Sequence, residues 1–173
     1  MWARPSLGCI VRPPSCAEKP RRIAMPSISR HFWPCLRILC EWTNNRQRIT
    51  YGELANELGL KLPQQEWNTL LDLIAGKTKR ELGDDYDLTW IVVYASGPAN
   101  NLGRYFSNGS KAPGTTLLDP GNMQQRAEYE RTLSEVFKYT YELRKVGDVD
   151  ALVKIPRRRR RSAQLRAAGT ASS

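Results

Sequence analysis

Four cysteines and one histidine are the residues of this 173-residue chain best suited to covalent or metal chemistry, and their spacing argues against both. Cys9, Cys16, Cys35 and Cys40 contain no C-x2-C pair of the kind that makes a zinc site. Cys35 and Cys40 stand about 140° apart on a helix, and they read as core-lining or half-buried thiols. His31, followed by Phe32 and Trp33, reads as the entry to a helix, and no second histidine exists to serve as the base of a nucleophilic triad. Asp84, Asp85 and Asp87 are crowded before an apolar run, where acidic residues ordinarily form a polar loop instead of a cation site. The run SGPANNLG lacks the glycine spacing and the lysine of a phosphate loop. The expectation is a protein without catalytic residues, metal or cofactor; an enzyme would need groups assembled from distant parts of the chain.

Non-covalent chemistry has more to work with. In PQQEWNTLLDL the amides and hydroxyl of Gln64, Gln65, Asn68 and Thr69 are suited to base edges or phosphates. Lys61, Lys77, Lys79 and Arg80 flank them, and Arg104 follows on the next expected hairpin, together a modest basic rim. Glu66 and Asp72 on the same segment are wrong for a polyanion, so an ordinary solvated face is the competing reading. Arg157, Arg158, Arg159, Arg160 and Arg161 form an unbroken basic run that can neutralise phosphates without reading sequence, or take an acidic protein. Tyr105 and Phe106, beside Arg104, are expected to cap the core.

The elements that must position these groups are legible from caps and periodicity. Phe32, Leu36, Leu39 and Trp42 recur at helical spacing and predict a first helix over about Arg30 to Asn44, with Pro34 in its opening turn. Thr50 and Glu53 form a capping box, so a second helix starts at Tyr51, presents Leu54, Ala55 and Leu58, and stops at Gly59. Pro63 opens a third helix carrying Trp67, Leu70, Leu71 and Ile74, which ends at Gly76 or continues through Glu81. Two helices joined by a short glycine-containing turn make a helix-turn-helix. LTWIVVYA, Leu88 to Ala95, is β-branched and aromatic and predicts a strand, with Leu102 to Phe106 returning beside it and Asn108 to Gly114 as a loop. Asp119, Pro120 and Gly121 introduce a long helix whose face holds Tyr129, Leu133, Val136, Phe137, Thr140 and Tyr141.

Charge divides the chain in three. Of the net +10, residues 1–24 carry five cations and one acid, and residues 154–173 carry seven cations and no acid, which leaves −1 for residues 25–153. The excess basicity therefore lies at the two ends. The opening stretch is interrupted by Pro5, Pro13, Pro14, Pro20 and Pro26 and is expected to lack regular structure. Its apolar run, Leu7 to Val11, is too short for a signal peptide, and Met25 is a second candidate start. No stretch approaches the ~18 apolar residues of a membrane span, so a soluble, cytoplasmic protein without a membrane partner is expected.

The series TYGELANELGL, a helix, LTWIVV, a glycine-containing turn and LGRYF resembles the C-terminal winged-helix domain of the alkylguanine-DNA alkyltransferases and their catalytically silent alkyltransferase-like relatives. It covers about Gln47 to Phe106, a third of the chain. The resemblance implies that the helix after TYGELA, here the one beginning PQQEWNTLLDL, enters a DNA groove. It also implies where the alkyl acceptor would be: the family carries Pro-Cys-His-Arg at the end of the strand, and the matching place here is Trp90-Ile91-Val92-Val93. No cysteine or histidine follows Glu41, so transfer to a thiolate has no acceptor at that position.

The sequence thus predicts an α+β, winged-helix-like domain of three helices and a β-hairpin over residues 27–150, with an added long C-terminal helix. Residues 1–26 and 151–173 are expected to be disordered basic tails. A non-catalytic DNA-binding or DNA-associated accessory protein is the leading expectation, with a winged-helix protein-interaction module as the alternative.

Overall fold

Helix α1, Ile28–Asn44, is set by an apolar stripe: Cys35, Leu36, Leu39, Cys40 and Thr43 are buried on one side. It begins two residues earlier than expected, which places exposed Pro34 two turns inside instead of in the first turn. The Thr43 hydroxyl donates to the Leu39 carbonyl at 2.7 Å and so is satisfied within the core. A computed structural model describes residues 28–109 and 117–157 of the chain. The expected N-terminal extension lies outside the described residues, as does most of the loop after Asn108.

Strand β1, Ile49–Thr50, leads into helix α2, Tyr51–Leu58, and α3 spans Gln64–Leu82. Leu70, Leu71 and Ile74 of α3 pack with Leu36 and Leu39 of α1 and Leu54 of α2 in one buried cluster. Full burial of such a side chain contributes roughly 1.5–3 kcal/mol. Leu54 is fully buried as its spacing requires, whereas Leu58, in the last turn, is only half-buried.

The segment expected as a strand is mostly something else. Leu88–Ile91 is a 3-10 turn, and only Val92–Val93 is extended, as β2, paired in parallel with β1 through Ile49↔Val92 and Thr50↔Val93. The Asp87 carboxylate accepts from the Thr89 amide and winds the chain at the point where a strand would begin. The expected return, Leu102 to Phe106, meets β2 at the single bridge Val93↔Gly103, with the Arg104 amide donating to the Val92 carbonyl at 3.1 Å, so the expected wing hairpin is reduced to that contact.

The C-terminal third also differs from the expected long helix. Helix α4, Met123–Val136, ends where the expected helix continued, and Tyr139–Val146 and Val149–Pro156 form an antiparallel hairpin, β3 and β4. Thr140 and Tyr141 are therefore strand residues, and residues 151–156, expected in the disordered tail, belong to β4. The hairpin is fastened to α1: the Asn44 side chain accepts from the Tyr141 amide at 2.8 Å and donates to its carbonyl at 3.0 Å. Lys154 donates to the Leu82 carbonyl at 2.8 Å, satisfying the C-terminal end of α3. The architecture is α+β, with four helices and a β-hairpin among the described residues. No described helix is long and apolar enough to cross a membrane.

Candidate nucleic-acid interface

The segment from β1 to α3 is held by local bonds. The Thr50 hydroxyl accepts from the Glu53 amide at 3.2 Å, and the Glu53 carboxylate accepts from the Thr50 amide at 2.8 Å. This is the expected capping box. It holds the Glu53 carboxyl below its ordinary pKa, through the bond from the Thr50 backbone first and its hydroxyl second. Gly59, at φ +62°, ends α2; its amide donates to Asn56 and that of Leu60 to Ala55, a Schellman stop.

Helix α3 follows with its two faces sharply different. Trp67, Leu70, Leu71, Ile74, Ala75, Thr78 and Leu82 are buried, and Gln64, Gln65, Asn68 and Asp72 are exposed. Gln64 donates from Nε2 to Asn68 Oδ1 at 3.2 Å, which aligns the two amides on one stripe. Lys61 is exposed in the connection just before them. Thr69 is half-buried, and its hydroxyl is spent on the Gln65 carbonyl at 3.0 Å.

The rest of the expected basic rim does not converge on that stripe. Lys77 turns toward α1 and the hairpin, with Nζ 3.0 Å from Glu81 Oε1 and 5.6 Å from the centre of the Trp33 ring. Lys79 lies on the stripe, but about 22 Å along the axis from Gln64, and its Nζ is 3.9 Å from the Asp87 carboxylate. Arg80 is exposed near the far end of the helix. Arg104 is not displayed on a wing: its side chain is 7% exposed and its guanidinium pairs with Asp72, whose side chain is 67% exposed.

Arg157 is likewise committed. Its guanidinium donates to the Thr43 carbonyl at 3.2 Å, to that of Asn44, and to the Tyr139 carbonyl at 3.2 Å. It thus closes the C-terminal end of α1, where free carbonyls and the helix dipole favour a cation. Arg158, Arg159, Arg160 and Arg161 lie outside the described residues.

The polar network behind the stripe has no local signal in the sequence. Asp87, 1% exposed, accepts from the Thr89 hydroxyl at 2.7 Å and the Tyr105 hydroxyl at 2.5 Å. Arg104 lies 5.0 Å over the Tyr105 ring, Trp90 joins Tyr105 to Tyr129 by ring contacts, and Arg48 lies over Tyr129 at 5.6 Å. Burial, then the neighbouring Asp87, pushes the Tyr105 phenol above its ordinary pKa. Phe106 is fully buried, as core-capping requires. The acid-rich composition of the 84–87 turn was visible, but not that Asp87 would turn inward while Asp84 and Asp85 line an open recess with Trp90 and Tyr129.

Cys35 and Cys40 are buried free thiols, each pushed up to about 12 by burial, and they line the core of α1. Among the described residues, no three of the histidine, cysteine, aspartate and glutamate side chains are grouped to hold a metal ion. Comparison with known proteins returns no matching family model, no matching curated protein and no matching solved structure.

Proposed function

We propose that the chain is a non-catalytic DNA-binding or DNA-associated accessory protein of the alkyltransferase-like winged-helix type, with α3 as the helix offered to the duplex. One observation carries the reading: Gln64, Gln65 and Asn68 stand exposed at the N-terminal end of α3, directly after the glycine stop that ends α2. Asparagine and glutamine amides can pair bidentately with adenine in the major groove. The partially positive N-terminal end of a helix also favours approach to phosphate. Neither buried thiol belongs to this face.

A protein-interaction module is the second reading, and charge favours it. Between Tyr51 and Ile74 the only cation is Lys61, against Glu53, Glu57, Glu66 and Asp72, a net −3. With Arg104 paired to Asp72 the surface is still net negative, which disfavours a polyanion and suits a basic protein surface.

Mobility shifts of the whole chain on a pool of duplexes, at two salt concentrations, separate the readings. Asn68→Ala is expected to relax sequence preference by roughly 1–3 kcal/mol at one position and leave the salt dependence nearly intact. A whole chain that retards no duplex at low salt would remove DNA from the reading and favour the protein-interaction module.

A further inference from the structure

Arg104 and Asp72 form an unequal pair. The arginine is almost wholly enclosed, yet its partner is an exposed carboxylate on the outer stripe of α3, in line with Gln64 and Asn68 at spacings of four. The guanidinium is held from below by the Tyr105 ring at 5.0 Å, and Nη1 reaches the Thr89 hydroxyl at 3.4 Å. Its Nη2 donates to the Asp72 carboxylate.

Tyr51 adds an independent sign of a missing partner. Its hydroxyl is buried and makes no hydrogen bond among the described residues. The Gln64 side chain and the Arg104 guanidinium approach it closely enough to favour its ionised form, but neither completes a bond. Its ring packs between Trp67 and Tyr94, with centroids at 6.5 Å and 5.6 Å. Burial raises the phenol to about 12, which keeps its proton in place as a donor. Buried hydroxyls are almost always paired, and one that is not calls for a reason.

We propose that Arg104 and Tyr51, with the Gln64 amide beside them, form a phosphate subsite on the α3 face, occupied in the free protein by the Asp72 carboxylate and opened when a nucleic-acid phosphate displaces it. The proposal rests on the DNA reading of that face and supplies its backbone contact. A phosphate offers more acceptor oxygens than one carboxylate and can meet the guanidinium and the hydroxyl together. A phosphodiester seated there, in place of the Asp72 carboxylate, would lie about one helical turn from Asn68 on the same stripe. It would thereby fix the duplex against the amides, as backbone contacts do. Asp72 then acts as an internal competitor that weakens binding to any anion unable to use both donors.

Three forms of the full chain test this: wild type, Asp72→Asn, and Asp72→Asn with Arg104→Met. Removing the competitor is expected to tighten duplex binding roughly tenfold and to steepen the log–log salt slope by about 0.9. Adding Arg104→Met should cancel both gains; a double variant that binds as tightly as Asp72→Asn would reduce the effect to general repulsion and overturn the proposal. Inorganic phosphate, titrated against chloride at matched ionic strength, gives a readout that needs no DNA. The Arg104 Nε–Hε resonance of Asp72→Asn, identified by its loss in the double variant, is expected to shift saturably. If it shifts while no duplex is bound, the subsite stands and the DNA reading fails; if it does not move, the subsite is refuted. Should Arg104→Met fail to fold, Arg104→Gln, which also removes the charge, serves the same assignment and comparison.

Discussion

Thr50 and Glu53 are worth more to the fold than their exposed position implies, because each satisfies an amide that α2 leaves unpaired. Thr50→Ala is expected to cost about 0.5–2 kcal/mol in urea unfolding. Glu53 adds a pH dependence whose sign follows from its lowered pKa. A carboxylate with a depressed folded-state value stabilises the fold above its unfolded value, about 4.3, and that contribution is lost as pH falls through the folded value. Glu53→Gln should therefore flatten the acid limb of the stability curve below about pH 4.3; coincident limbs would show that the carboxylate contributes nothing. The thiols permit a second check. With Cys35 and Cys40 buried and raised to about 12, incubation with duplex containing alkylated guanine should leave the protein mass unchanged, and an alkyl group found on either would contradict the non-catalytic reading. At this scale the sequence was legible where partners lie three residues apart, as in the capping box. The Arg104 and Asp72 pair, 32 residues apart, has no local signal, and Arg104 on its own reads as a surface cation.

Among the elements, the three leading helices were legible because each has a stripe of apolar residues and a stop that acts locally, such as Gly59. The Leu88 to Ala95 run was not, since short apolar runs fit a strand or any other buried segment. Burial of Leu88, Thr89, Ile91, Val92 and Val93 alike shows why alternation could not decide it. The C-terminal hairpin did carry a signal: two eight-residue runs flank Gly147 and Asp148, a turn with Gly147 at φ +61°. That signal was masked because Tyr129, Leu133, Val136, Phe137, Thr140 and Tyr141 also fit a helix face. Tyr141 in fact turns back to donate its hydroxyl to the Val136 carbonyl at 2.7 Å, closing α4 from the strand that follows. Gly103 tests how tightly the 88–106 segment sits on α4. A Cβ there would lie 2.7 Å from Tyr129 Cε2 and 3.2 Å from the Trp90 carbonyl oxygen, so Gly103→Ala should lower stability by about 1–3 kcal/mol. A thermal unfolding midpoint equal to that of the wild type would mean that Tyr129 yields freely.

The distribution of charge over the whole molecule makes the end of β4 a boundary between two roles. Lys154 and Arg157 are structural, one on the Leu82 carbonyl and the other on the last carbonyls of α1. Adding both to residues 25–153, which carry −1, gives +1 for residues 25–157 and leaves +5, from Arg158 to Arg161 and Arg166, for residues 158–173. Two truncations of the full chain should therefore behave differently. Ending the chain at Arg157 should weaken binding to all duplexes alike and flatten the salt dependence, because every phosphate that is no longer neutralised takes about 0.9 from the log–log slope. Ending it at Val153 removes the same basic run but also the pairs of Tyr139, Thr140 and Tyr141 with Pro156, Ile155 and Lys154, and uncovers the C-terminal end of α1. That second form should unfold at lower urea concentration than the first, while sharing its shallow salt slope. Equal stability of the two would show that Lys154 and Arg157 are dispensable to the fold, and an unchanged slope in both would show that the arginine run does not touch DNA.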